Sequence, residues 1–211
     1  MIKGIIFDLD GTLLNTLEDL KNSVNYSLVS CLLDTISLDE TREYVGNGVY
    51  NLIESAVGKH KEQIQKCYEI FKEHYSKNSK IYTKPYEGAK VFLNGLKDKN
   101  IKLAVLSNKL DSMVKNLVEY YFSGIFDIVM GESKEFPKKP DSKACDYIIN
   151  EFKLNKENVI FIGDSNTDIK TAKNVGIECI SVSWGYKSKD FLIKNGAKNI
   201  IDSFDEIYKF I

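Results

Sequence analysis

The chain has 211 residues, enough for one well-filled core or a core with a modest second lobe. It is 43% hydrophobic and 28% charged, and 29 Lys+Arg against 30 Asp+Glu leave a formal net charge of -1. That balance argues against nucleic acid or an anionic membrane surface as a partner. The N-terminus places Lys3 and Asp8 around a short apolar run, which is neither a signal peptide nor a membrane span. Cys31, Cys67, Cys145 and Cys179 are scattered without a Cys-x-x-Cys pair, as expected of reduced structural thiols in a cytoplasmic protein.

The first predicted element is a short buried strand over 4–7, ending at Asp8-Leu9-Asp10-Gly11-Thr12. Residues 15–81 then change texture, with no proline and with apolar residues such as Leu17, Leu20, Val24 and Leu28 at helical spacing. They read as an all-helical insert; its His60 and His74 sit in polar stretches and read as solvated, and Gly46-Asn47-Gly48 reads as a turn. Pro85 and Gly88 mark the return to alternating strands and helices. Further strands are predicted over 102–106, 126–130, 159–162, 179–182 and 199–201. Helices are predicted over 87–99, 111–120, 142–151, 167–174, 188–195 and 203–210. Such alternation implies an α/β fold with a doubly wound, mostly parallel sheet, built from 1–14 and 82–211, with 15–81 as a separate helical domain. The run Val159-Ile160-Phe161-Ile162 lacks polar alternation, as a central strand covered on both faces does. Tyr120, Tyr121, Phe122 and Phe126 read as core or helix-end packing, and Lys134 to Lys143 as a solvated loop.

Side chains at i and i+2 of a strand point the same way, so Asp8 and Asp10 converge on one small volume. Two like charges about 4 Å apart repel by roughly 4 kcal/mol at an effective dielectric of ~20, so a cation, a shared proton or a reaction must compensate them. Ligands of open α/β sheets bind beyond the carboxyl ends of the strands. After the later strands come Ser107-Asn108-Lys109, then Lys138-Lys139-Pro140, then Gly163-Asp164-Ser165-Asn166-Thr167-Asp168. One sheet edge thus gathers carboxylates, a hydroxyl and a lysine, a set suited to Mg²⁺ and phosphate oxygens. Asp168 also has the position of an acid in the first turn of a helix, where the dipole favours it.

Asp8-x-Asp10-Gly11-Thr12, Ser107-Asn108-Lys109, Lys139-Pro140 and Gly163-Asp164-x-x-x-Asp168 together resemble the four motifs of the haloacid dehalogenase (HAD) superfamily, in family order. The insert resembles that family's C1-type cap, which would close over the site and choose the substrate. Tyr44-Val45-Gly46-Asn47-Gly48, Pro85-Tyr86-Glu87-Gly88 and Ser181-Val182-Ser183-Trp184-Gly185-Tyr186 are similar to its phosphoglycolate phosphatase-like branch. The resemblance implies a Rossmann-like core and a Mg²⁺-dependent phosphomonoester hydrolase acting through an aspartyl-phosphate. Asp8 would be the nucleophile and Asp10 the general acid/base, with Lys139 holding Asp8 and the phosphoryl group. Asp8, the Asp10 carbonyl and Asp164 would hold Mg²⁺, with Asp168 as ligand or orienter. Thr12, Ser107, Asn108 and Lys139 would meet the phosphoryl end of the substrate, and Gly46 and Asn47 of the cap its other end.

The family lysine directly precedes the proline, which selects Lys139 over Lys138, and Ser142 stands where a second proline is common and is expected to cap the next helix. The expected partner is a small phosphorylated metabolite, with no nucleic acid and no membrane, and the expected state a monomer or weak homodimer. Alternatives sharing the four motifs are a β-phosphoglucomutase-type mutase and an inorganic pyrophosphatase. A different class, a non-enzymatic phosphate-binding regulator or receiver-like module, also gathers aspartates, a hydroxyl and a lysine. Receivers, however, are shorter and lack the insert.

Overall fold

A computed structural model describes residues 1–211. The chain starts with β1 (Gly4–Phe7) and β2 (Leu14–Asn15), then four helices, α1 (Leu17–Ser30), α2 (Leu38–Tyr44), α3 (Val49–Val57) and α4 (Ile64–Asn78). It continues through β3 (Lys84–Pro85), α5 (Ala89–Asp98), β4 (Lys102–Leu110), α6 (Asp111–Phe122), β5 (Ile128–Glu132) and α7 (Lys143–Phe152). The last part is β6 (Val159–Gly163), α8 (Asn166–Val175), β7 (Glu178–Val182), α9 (Lys189–Lys194), β8 (Asn199–Ile201) and a 3₁₀ segment, Phe204–Phe210. No helix is long and apolar enough to cross a membrane.

Six strands form one sheet in the order β5-β4-β1-β6-β7-β8, with every pairing parallel. The chain builds outward from β1 to β5, then crosses to the other side of β1 and builds from β6 to β8. The order reverses between β1 and β6, and such a switch point opens a crevice beyond the strand ends. Register sets the heights there: Phe7 pairs with Ile162 on one side and Val105 on the other.

Alternation along the central strands feeds two cores. Ile5 and Phe7, Leu103 and Val105, and Ile160 and Ile162 face α5, α6 and the last 3₁₀ segment. Ile6, Ala104, Leu106 and Phe161 face α7 and α8. Both faces of β1 are therefore dry, which is why Gly4-Ile5-Ile6-Phe7 carries no polar residue.

The four helices of the insert bury a core of their own, including Leu20, Val24, Leu28, Ile53, Cys67, Phe71 and Tyr75. The chain leaves and re-enters the sheet through a two-stranded antiparallel ribbon, Leu14 opposite Pro85 and Asn15 opposite Lys84. Asp19 of α1, 2% exposed, fastens the return connection by accepting from the Tyr82 and Thr83 amides and the Thr83 hydroxyl at 2.7–3.1 Å.

Some local expectations need correction. β4 runs on through Ser107-Asn108-Lys109 to Leu110, with a register shift against β5, so polar residues predicted to follow the strand are part of it. The last segment is a 3₁₀ helix, the tighter form common in short terminal turns. Ser142 stands at the start of α7 without a capping bond; the Asp141 carboxylate accepts the Lys143 amide instead, at 2.8 Å. His74 is half-buried, stacked on Tyr26 at 4.1 Å with Nδ1 3.0 Å from the Ser23 hydroxyl, where sequence suggested a solvated ring. Four cysteines are free.

Candidate active site

Three acids meet at the switch point. Asp8 follows β1, its amide donating to the Ile162 carbonyl at 2.9 Å, and Asp164 follows β6. Asp168 lies in the first turn of α8, where Ser165 and Asp168 cap one another: the Ser165 amide and hydroxyl donate to Asp168 Oδ2 at 3.0 and 2.6 Å. Carboxylate oxygens of Asp8, Asp164 and Asp168 lie within 4.8 Å of one another, all buried. Lys139 is enclosed with them, its Nζ 3.0 Å from Asp8 Oδ1 and 2.6 Å from Asp168 Oδ1.

Glycines make this crowding possible. A Cβ on Gly11 would come within 2.4 Å of Asp164 Oδ2, one on Gly163 within 2.3 Å of Asp168 Cγ, and one on Gly185 within 2.2 Å of Asp164 Cβ. The backbone thus wraps the acids closely from three segments. Tyr186 donates its amide to Asp164 Oδ2 at 2.7 Å, and the Thr12 hydroxyl lies 3.5 Å from Oδ1.

Charge is out of balance. Burial, with Asp168 and Asp10 beside it, pushes the Asp8 carboxyl up to about 7 against the pull of Lys139. Burial also raises Asp164 well above the usual carboxylate range, with the Asp8 and Asp168 charges adding to it. Burial alone would depress the Lys139 ammonium, but the Asp168 and Asp8 carboxylates outweigh it and hold the group above an ordinary lysine. One ammonium faces three carboxylates, and a hard divalent cation among oxygen donors fits the remaining deficit. Asp8 and Asp164 retain lone pairs for it. Asp168 accepts from Lys139 and from the Ser165 cap and stands beside Asp8 and Asp164 as a third oxygen donor or as their orienter.

Asp10 sits at the rim, its carboxylate held from two directions. Thr16 donates its hydroxyl to Oδ1 at 2.6 Å, and Lys109 Nζ lies 3.0 Å from Oδ1 and 2.8 Å from Oδ2. Ser107, 3% exposed, lines the cleft beside Asp8 and Asp10. Asn108 is a brace: its Nδ2 donates to the Gly46 and Lys139 carbonyls at 3.0 and 3.1 Å, while Oδ1 accepts the Lys139 amide at 2.6 Å. Thr12 is fully buried, and its carbonyl accepts the Trp184 indole N–H at 3.0 Å, so it shapes the floor of the site.

The helical insert closes over this edge. Its Gly46 and Asn47 carbonyls accept from Asn108 and Lys138, both at 3.0 Å, and the Asn47 side chain accepts from Thr167 at 3.3 Å. Lys187 donates to the Arg42 and Glu43 carbonyls at 3.0 Å, at the end of α2. The cleft beneath is walled on the insert side by Leu20, Val45, Val49 and Leu52. The Arg42 side chain pairs with Asp39 at 2.6 Å in solvent.

Sequence reasoning assigned no role to Lys109, Thr16, Lys138, Tyr186 or Lys187. Lys109 and Tyr186 lie within segments already singled out as motifs. Lys138 and Lys187 carry no local signal, because their partners are backbone groups or residues far along the chain, and Thr16 meets Asp10 only through the turn between them.

The model of the haloacid dehalogenase-like hydrolase family matches residues 5–182. A phosphoglycolate phosphatase of Aquifex aeolicus is 33% identical over 187 residues, covering 88% of this chain and 86% of its own length. Another, from Psychrobacter arcticus, is 29% identical over 98% of this chain and 94% of its own. Among solved structures, a predicted phosphoglycolate phosphatase from Haemophilus somnus superposes with a TM-score of 0.91 at 27% identity, covering 99% of this chain and 97% of that one. With the fold, the switch-point acids and these likenesses in agreement, the chain belongs to the haloacid dehalogenase-like hydrolase family and is a phosphatase similar to that family's phosphoglycolate phosphatases.

Proposed function

We propose that this phosphatase hydrolyses a small phosphomonoester through an aspartyl-phosphate on Asp8, with Mg²⁺, and that phosphoglycolate is its leading substrate. One observation carries the reading: the Asp8 carboxylate lies at the switch point, on Lys139 and among two further acids, at the floor of a cleft closed by the helical cap. Phosphoglycolate comes first because similar proteins of Aquifex aeolicus and Psychrobacter arcticus are phosphoglycolate phosphatases. The free cysteines suit a reducing cytoplasm.

In the first step an Asp8 oxygen attacks phosphorus and the ester P–O bond breaks. The leaving oxygen keeps the bonding pair and takes a proton from the Asp10 carboxyl. In the second step a water oxygen attacks phosphorus and yields a proton to Asp10. The Asp8–phosphorus bond breaks, inorganic phosphate departs and both carboxyl groups return to their starting forms. Lys139 and Ser107 would hold the equatorial phosphoryl oxygens, since phosphoryl transfer needs positioning and charge stabilisation more than elaborate chemistry. Asp8, the Asp10 carbonyl and Asp164 would hold Mg²⁺ with Asp168 orienting them, and the bound ion would supply positive charge to the transferring group.

The test is a Mg²⁺-dependent screen of the purified protein over phosphorylated two- to six-carbon metabolites, nucleotides and pyrophosphate. Phosphoglycolate is expected among the best substrates. No phosphate release from any compound sinks the proposal. Preferred pyrophosphate cleavage, or isomerisation of a hexose phosphate, moves the protein to the pyrophosphatase or mutase alternative.

A further inference from the structure

We propose that Lys109 is the positioning residue for the Asp10 carboxylate, and that the cap sets Lys109 through the ring of Tyr75. The inference rests on the phosphatase reading for Asp10's role, but its geometry is independent of substrate. Lys109 projects from the last stretch of β4, and its side chain is only 2% exposed. Its Nζ reaches both oxygens of Asp10, at 3.0 and 2.8 Å. The same Nζ lies 4.8 Å from the ring centroid of Tyr75, a fully buried residue of α4. An ammonium over an aromatic face at that distance is attracted by the ring quadrupole.

Asp10 is one of the few site groups whose position is not dictated by the sheet. It stands in the turn after β1, and only Thr16 and Lys109 fix its carboxylate. Thr16 holds Oδ1 alone, so without Lys109 the group could pivot about that bond. Lys109 adds the second point, on both oxygens, and fixes the plane of the carboxylate.

The cap supplies the third member. The Tyr75 hydroxyl is buried with no hydrogen-bond partner, so the position uses the ring and not the oxygen. Tyr75 belongs to the cap core and Lys109 to the sheet. The acid/base group is therefore set in full only when α4 lies over β4, which couples cap closure to proton transfer through Tyr75, a cap residue that does not itself line the cleft.

The experiment is kcat/KM over a series of aryl phosphates of similar shape but graded leaving-group acidity, from para-nitrophenyl phosphate to phenyl phosphate. A general acid contributes about 10²–10⁴-fold where the leaving group is basic and little where it is acidic. Lys109→Met should therefore lose roughly tenfold more on phenyl phosphate than on para-nitrophenyl phosphate. Tyr75→Leu should steepen the series in the same direction by a smaller factor, and Tyr75→Phe, which keeps the ring, should restore the wild-type slope. Retained hydrolysis of the nitrophenyl ester reports that a variant is folded. An equal loss along the whole series overturns the proposal, because it would place Lys109 on the phosphoryl group or in the scaffold.

Absence of turnover in the wild type would count against the phosphatase reading and not against the positioning. In that case the apo protein decides, labelled with carbon-enriched aspartate. The Asp10 carboxyl resonance, assigned by its loss in Asp10→Asn, should move in both Lys109→Met and Tyr75→Leu. A resonance that stays in place in both removes the inference.

Discussion

The sheet edge and the cap loop meet across one cleft but are held by opposite means. On the sheet side, charged side chains are placed by strand ends, enclosed by glycines and paired with one another, as Lys139 is with Asp8 and Asp168. On the cap side, the contacts run mainly through backbone carbonyls: those of Arg42, Glu43, Gly46 and Asn47 accept from core side chains. The first arrangement is specified by residue identity and tolerates little displacement. The second depends on the path of the loop and consists of single hydrogen bonds near solvent, each worth about 0.5–1.5 kcal/mol. One side is built to stay and the other to let go, as a lid over a hydrolytic site must.

The sharpest break of this contrast is at the nucleophile. Asp8→Asn should lower kcat by at least about a thousandfold while the fold persists, because an amide forms no aspartyl-phosphate. Steady-state kinetics with thermal melts checks it, and near-normal turnover in a folded variant would remove Asp8 as nucleophile. A pair of glycines sharpens the same contrast. Gly11 has φ +82 and its added Cβ would strike Asp164, whereas Gly46 has φ +118 and nothing within 4 Å of an added Cβ. Gly11→Ala should cost about a hundredfold in kcat, since displacing the acids by ~1 Å suffices for that. Gly46→Ala carries only backbone strain, about 1 kcal/mol, and should show mainly in KM. Equal kcat losses at both would erase the distinction between the two sides.

The same contrast explains what was legible before the structure. The acids could be read because the carboxyl-edge rule gathers Asp8, Asp10 and Asp164 beyond neighbouring strand ends, although Asp10 lies in the turn past β1, where strand alternation no longer applies. The alternation of strands and helices likewise carried the doubly wound sheet. The true end of β4 was not readable, since Ser107-Asn108-Lys109 has the polarity of a loop and lies in the irregular stretch between the Leu106–Met130 and Leu110–Glu132 pairs. Lys138 looked like one surface lysine of a charged run, yet it reaches Asn47 and Asn51, about ninety positions away in the chain. Nothing in the sequence around Tyr75 singles it out. Its relation to Lys109 depends on how the cap lies over the sheet, and no local pattern records that.

Cation binding should show in stability, with a definite sign. The Asp8 carboxyl is pushed up to about 7 in the folded state from an ordinary 3.8, so between those values the native state holds more of the proton than the unfolded chain. Its contribution to stability therefore falls as pH rises through that window, when no metal is present. Added Mg²⁺ should offset the loss where the acids are ionised. At roughly 100 times its Kd a ligand stabilises by ~2.7 kcal/mol. That corresponds to a rise in Tm on the order of 5 °C or more for a chain of this size. The rise should be clearly larger near about pH 8 than near about pH 5. Equal shifts at both, measured by scanning calorimetry with and without chelator, would place the ion away from these acids.

The smallest effect tests the releasable side. Lys138→Met removes two donated hydrogen bonds, to the Asn47 carbonyl and the Asn51 side chain, both at 3.0 Å. Each lies near solvent, and water replaces it when the cap opens, so the net loss should be about 1 kcal/mol in the closed state. A closed state destabilised by that much should raise KM by roughly fivefold and leave kcat within about a factor of two, because saturating substrate restores the closed state with Tyr75 and Lys109 in place. The neighbouring Lys139 makes the experiment decisive. If kcat fell as far as KM rose, the loop from Lys138 to Pro140 would be transmitting the cap's position to Lys139 and through it to Asp8. The cap would then help to place the nucleophile as well as the acid/base group, and the division between a fixed edge and a releasable lid would have to be redrawn along that loop.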